Sequence, residues 1–189
     1  MVYNVPNILT LFRIAIIPPI MVLFYIQQPW SLWTALALYS VGAITDFFDG
    51  YFARTLNQTS AFGRFLDPIA DKLYVAAIVI LLAGFNRLEG IWLIPAVVIM
   101  MREILIAGLR EFLGPYKIVL PVSKLAKWKT TSQLFAIGFL MMGRHGEVVL
   151  PHNLEIGHWM ITIAAVLTVI TGWDYMIKGL DYIRSMDGE

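Results

Sequence analysis

Cysteine is absent from this 189-residue chain, which excludes disulfides, a thiol nucleophile and a thiolate metal site. Charge is scarce. Asp, Glu, Lys and Arg make up 14% of the residues, against about 25% in an ordinary soluble domain. Histidine occurs three times, as His145, His152 and His158. All three fall in one late stretch without an HExxH pattern, so a zincin is not expected. The net charge of +1 says nothing about nucleic acid, which is not among the expected partners. Internal repeats, low-complexity tracts and linkers are also missing. What is present is apolar surface: 59% of the residues are hydrophobic and mean hydropathy is +0.72, where a soluble domain is about 45–50% apolar. The expected class is an all-α, polytopic membrane protein forming a single membrane domain over residues 1–189.

Crossing the bilayer core takes about 20 mostly apolar residues in a helix. Six segments are expected to qualify, roughly over 8–26, 32–53, 64–84, 91–112, 125–142 and 156–178. Pro18-Pro19 predicts a kink in the first, and Gly114-Pro115 a break after the fourth. The start of the chain lacks the pattern of a cleaved signal, so the first helix is expected to be retained. Of the 14 Lys and Arg residues, Arg87 and Arg144 alone fall on one side of this arrangement. The positive-inside bias therefore places both termini in the cytoplasm. Trp30, Trp33, Trp92 and Trp159 lie near the proposed outer helix ends, as interface anchors do. The histidines fall on the same side and are expected to be solvated. The sequon-like Asn57-Gln58-Thr59 falls in a cytoplasmic loop and is read as chance.

The stretch Asp46–Asp71 stands out against this background. It holds four aspartates in 26 residues. Asp46 and Asp49 share one helix face, and Asp67 and Asp71 share another. The second and third helices run antiparallel, so both pairs meet at one level near the cytoplasmic surface. Facing carboxylates repel, and at the edge of hydrocarbon they are costly unless neutralised. Solvation at a helix end could account for any one of them, and Asp67 near a helix N-terminus is favoured by the dipole. It does not account for four together. Hard oxygen ligands at this density suit Mg²⁺, Mn²⁺ or Ca²⁺, and four carboxylates are enough for two ions. Gly50 and Ala53 continue the first acid face and Gly63 the second, leaving room for a bulky ligand. Arg54 offers a fork for a phosphate oxygen. Together these residues describe a pyrophosphate site facing the cytoplasm.

The pattern Asp46-x2-Asp49-Gly50-x2-Ala53-Arg54-x8-Gly63-x3-Asp67-x3-Asp71 resembles the signature of the CDP-alcohol phosphatidyltransferases at every fixed position and gap. The resemblance implies six transmembrane helices, a homodimer and two divalent cations, Mg²⁺ or Mn²⁺. It also implies attack by an alcohol on the lipid-side phosphorus of a CDP-activated lipid, with release of CMP. Carried onto this chain, Asp46, Asp49, Asp67 and Asp71 would be metal ligands and Asp71 also the general base. Asp46, Asp49, Gly50, Ala53, Arg54 and Gly63 would bind CDP. Further motifs are similar to the bacterial subgroup that joins CDP-diacylglycerol to sn-glycerol 3-phosphate: Pro6-Asn7-x-Leu9-Thr10-x-x-Arg13, Asp67-Pro68-x-Ala70-Asp71-Lys72, Arg102-Glu103-x6-Arg110-Glu111 and Lys127-x-Lys129-Thr130-Thr131. Residues 143–157 carry none of the resemblance.

An acceptor that bears a phosphate needs cations. Arg102 and Arg110 are eight apart, near one face of the fourth helix, and with Lys127 they are the expected acceptor-phosphate residues. Lys117, Lys124 and Lys129 are read as anchors to anionic headgroups. Two other readings stay open on the sequence. One is a sister transferase taking inositol phosphate, phosphatidylglycerol or serine. The other is a cation-coupled transporter, which predicts acids near the bilayer midplane rather than at cytoplasmic helix ends beside an arginine.

Overall fold

The computed structural model describes residues 4–55, 60–116 and 124–187, without the side chains of 47, 49–55, 64, 124, 126 and 186–187. Among the described residues every regular element is helical. Seven α-helices follow in order: α1 (Val5–Ala15), α2 (Ile17–Ile26), α3 (Pro29–Thr55), α4 (Ala61–Gly84), α5 (Leu93–Leu113), α6 (Lys124–Met142) and α7 (Asn153–Asp187). Short 3-10 turns occupy Gly90–Trp92, Gly114–Tyr116 and Gly143–Val148. The helices lie over all six expected segments. Three stretches, Val5–Ile26, Gly90–Tyr116 and Asn153–Ser185, are long and apolar enough to cross a membrane by length and composition. The remaining long helices are more polar at one end, α3 and α4 through the aspartates and α6 through Lys124, Lys127 and Lys129 in its first six residues.

Local sequence sets the helix ends. Asn4 caps α1 by accepting a hydrogen bond from the Asn7 backbone N–H at 3.1 Å, and Pro6 in the first turn forfeits only an N–H that had no partner. A break falls in the expected segment at Ile16, between α1 and α2. Pro18 and Pro19 cannot donate to the carbonyls of Ile14 and Ala15, so the helix must restart. Gln27 ends α2 in the left-handed conformation, φ 53°, and its side-chain amide donates back to the Phe24 carbonyl. Ser60 caps α4 by accepting from the Gly63 N–H at 2.9 Å.

The chain divides into two compact units, one of Met1–Leu88 with Ile137–Gly157, the other of Glu89–Ala136 with His158–Glu189. In the first, α1 packs on α3 and α4, and α2 packs on the same two helices. Its interior holds Ile20, Phe24, Leu32, Ile78 and Leu82, all fully buried. Tyr39 and Tyr74 stack at 5.7 Å, and the Tyr74 hydroxyl donates to the Tyr39 carbonyl at 2.7 Å. Gly42 lets this pair fit, since a Cβ there would stand 2.5 Å from the Tyr74 oxygen. Near residues 143–157, Asn153 donates to the carbonyls of Phe139 at 2.8 Å and Gly143 at 2.9 Å. That one buried amide closes the turn from α6 to α7. Arg87 bonds Gln27 at 3.3 Å, and burial, together with nearby Arg144, lowers its pKa.

In the second unit Ile106, Leu113 and Tyr175 form a buried cluster against Leu109, Met176 and Ile183. Gly172 and Gly179 let α7 approach α5, because a Cβ at either would press on Arg102 or Leu109. His158 corrects the expectation of solvated histidines. It is 9% exposed and stacks on Trp92 with centroids 4.6 Å apart. Aromatic stacking removes an imidazole face from water. His152, which pairs with Glu155 at 3.2 Å, remains exposed as expected.

Candidate active site

Three helices of the first unit build the site. α3 supplies Asp46 and α4 supplies Asp67 and Asp71, one turn apart. Ligand oxygens of these three carboxylates all lie within 4.8 Å of one another. The convergence expected from the sequence is therefore present for three of the four acids. The side chains of Asp49, Gly50, Ala53 and Arg54 lie outside those described, although α3 runs through their positions.

α1 supplies what the sequence reading missed. Asn7, Thr10 and Arg13 stand three apart on an otherwise apolar helix and are all about fully buried. The Arg13 guanidinium lies among the carboxylates. Its Nη1 is 2.8 Å from Asp46 and 3.9 Å from Asp67, and it donates a hydrogen bond to Asp71. Arg13 is 1% exposed, whereas the three carboxylates are 42–50% exposed. The guanidinium thus meets the acids from the core side and leaves their other side open. The signal was available: polar residues at i, i+3 and i+6 of an apolar helix mark one buried polar face, and an ionisable residue in such a helix is a functional candidate by default.

The structure also changes why Asp67 is tolerated. α4 begins at Ala61, so Asp67 is nearly two turns in, beyond the reach of the helix-end dipole. Arg13 supplies the compensating charge. Gly63 gains a second role beside that expected from the sequence. A Cβ there would collide with Asn7 Oδ1 and stand 3.2 Å from Ser60 Oγ. Asn7 donates to Ser60 Oγ at 2.9 Å, which fastens α1 to the cap of α4.

With all three carboxylates ionised, one guanidinium leaves this group of four side chains short of positive charge. Asp67 Oδ1 is buried and takes no hydrogen bond among the described residues. A buried carboxylate oxygen without a donor is costly, and a hard cation bound among the three carboxylates would satisfy it. The residues therefore fit a divalent metal ion.

The second unit holds the other expected residues. Arg102 donates to Glu103 and to Thr171 Oγ1, each at 3.1 Å. The guanidinium carbons of Arg102 and Arg110 lie 5.4 Å and 5.2 Å from the centre of the Tyr175 ring. Arg110 also donates to the Tyr175 hydroxyl at 3.3 Å. The two arginines are thus brought together on one aromatic ring, a favourable cation–π arrangement. Lys127, the third expected cation, is exposed on α6. Lys129, read from the sequence as a headgroup anchor, is instead 6% exposed and pairs with Glu103 at 2.5 Å. The register of α6 decides between the two lysines: residues two apart point to different sides.

The family model for CDP-alcohol phosphatidyltransferases matches residues 3–170. A Rickettsia bellii protein named CDP-diacylglycerol–glycerol-3-phosphate 3-phosphatidyltransferase is 45% identical over 91% of this chain and 93% of its own length. Proteins of the same name from Cereibacter sphaeroides, 38% identical over 96% of this chain and 98% of theirs, and from Escherichia coli K12, 35% identical over 98% and 97%, are similar from end to end.

Proposed function

The chain belongs to the CDP-alcohol phosphatidyltransferase family, and from that premise we propose that it transfers the phosphatidyl group of CDP-diacylglycerol to sn-glycerol 3-phosphate, giving phosphatidylglycerophosphate and CMP. The observation that carries this reading is the meeting of Asp46, Asp67 and Asp71 from two helices, at the spacing of the family's signature. Asp46, Asp49, Asp67 and Asp71 would hold two divalent cations, Mg²⁺ or Mn²⁺. Bound there, such ions neutralise pyrophosphate charge and raise the acidity of a nearby hydroxyl.

The chain's own groups do the rest. Gly50, Ala53 and Gly63 leave space for the nucleotide, and Arg54 takes a phosphate oxygen. Arg102, Arg110 and Lys127 bind the acceptor's phosphate. Asp71 accepts the proton of the attacking hydroxyl. A bond forms between that oxygen and the lipid-side phosphorus as the bond from this phosphorus to the CMP oxygen breaks, and CMP leaves with the electron pair. The six helical segments span a bacterial inner membrane as one domain, with both termini and the site towards the cytoplasm. The water-soluble acceptor then arrives from the cytoplasm and the lipid from the bilayer, in a homodimer. Large apolar side chains left exposed, among them Val22, Ile80, Ile94 and Ile170, suit a lipid environment.

Product identification tests the proposal. Purified protein in detergent with labelled CDP-diacylglycerol should form labelled phosphatidylglycerophosphate with glycerol 3-phosphate. A product only with inositol phosphate, serine or phosphatidylglycerol would assign another acceptor.

A further inference from the structure

We propose that Arg13 is the resident counter-ion of the carboxylate cluster, and that a divalent cation binds by taking carboxylate oxygens from its guanidinium. Arg13 is then a positioning residue that sets cation affinity. The inference rests on reading Asp46, Asp67 and Asp71 as cation ligands. One nitrogen, Nη1, pairs closely with Asp46 and Asp71 and lies 3.9 Å from Asp67, so the guanidinium holds the place where their oxygens converge. It reaches that place from the buried side, while the carboxylates stay about half exposed on the other. A cation arriving from the open side competes for the same oxygens.

The base of the side chain is fixed. α1 is capped by Asn4, its Thr10 hydroxyl donates to the Pro6 carbonyl at 3.0 Å, and Asn7 ties it to Ser60. Burying an arginine costs several kcal/mol unless it is paired, so this charge is not incidental packing. Without it the carboxylates repel one another and attract an added cation more strongly. A residue that merely shaped the site would act in the opposite direction, since its loss would distort the ligands and weaken binding.

The test compares the full-length wild type with Arg13→Gln and Arg13→Lys in detergent, with Mn²⁺ as the probe. Bound Mn²⁺ is read from loss of the free-ion electron paramagnetic resonance signal, and stability from melting temperature. For Arg13→Gln the Mn²⁺ Kd should fall about 10-fold or more, which is at least ~1.4 kcal/mol of tighter binding. Its metal-free melting temperature should drop, and saturating Mn²⁺ should close most of that gap. Arg13→Lys, which keeps one positive charge, should stay within a few-fold of the wild-type Kd. An unchanged or higher Kd for Arg13→Gln overturns the proposal. So does tightening by Arg13→Lys equal to that by Arg13→Gln, or an Arg13→Gln protein that stays unfolded at saturating Mn²⁺. Failure of the wild type to bind Mn²⁺ would remove the ligand reading as well. Wild-type binding that Asp46→Asn abolishes but Arg13→Gln does not tighten would remove this inference alone.

Discussion

Gly63→Ala separates two explanations of one residue. The methyl group would collide with Asn7 Oδ1 and stand 3.2 Å from Ser60 Oγ. Asn7 is 2% exposed and cannot swing into solvent. In an open helix the change would stabilise by about 1 kcal/mol through propensity. Here overpacking costs about 1–3 kcal/mol, and the displaced Asn7–Ser60 bond with its helix cap adds about 1 kcal/mol. The net expectation is a loss of about 2 kcal/mol, or ~4–8 °C in melting temperature for a chain of this size. Asn7→Ala removes the obstacle, so adding Gly63→Ala to it should be neutral or stabilising, a coupling of ~2–3 kcal/mol in a double-mutant cycle. The assay is thermal unfolding of the four proteins in one detergent at saturating Mn²⁺. Additive losses would refute the argument that Asn7 is what requires glycine. A melting temperature unaffected by Gly63→Ala, together with a raised KM for CDP-diacylglycerol, would assign the glycine to the nucleotide alone.

Two further outcomes test the proposed roles. Asp71→Asn should reduce turnover to background while CDP binding remains measurable by calorimetry, and near-normal activity would remove Asp71 from the base role. Arg110→Ala should raise the KM for glycerol 3-phosphate about 10- to 100-fold, the loss of a charge-assisted hydrogen bond, and leave that for CDP-diacylglycerol within about twofold. Equal effects on both substrates would show that the acceptor phosphate binds elsewhere. Lys127→Ala measured in parallel should follow Arg110→Ala, and no effect would remove this exposed lysine from the set.

The sequence was most informative where a property is local. Runs of apolar residues marked every long helix, and Pro18-Pro19 marked the break now seen at Ile16, because proline acts on the carbonyls four residues earlier in its own helix. The aspartate spacing likewise told which acids share a helix face, and three of them do meet. The sequence was least informative about partners. Lys127 and Lys129 are equally basic and two residues apart, and nothing local says that Glu103 takes the second. His158 looked solvated because no local rule brings Trp92 to it.

Arg13 divides the two kinds of knowledge. Composition and periodicity by themselves determined an all-helical, apolar chain with a carboxylate cluster that requires positive charge. Helical periodicity reports what lies on one face of one helix, and it is silent about which faces meet. Only the packing of α1 against α3 and α4 decided that a buried guanidinium, 33 residues before Asp46 in the sequence, supplies part of that charge from within the protein.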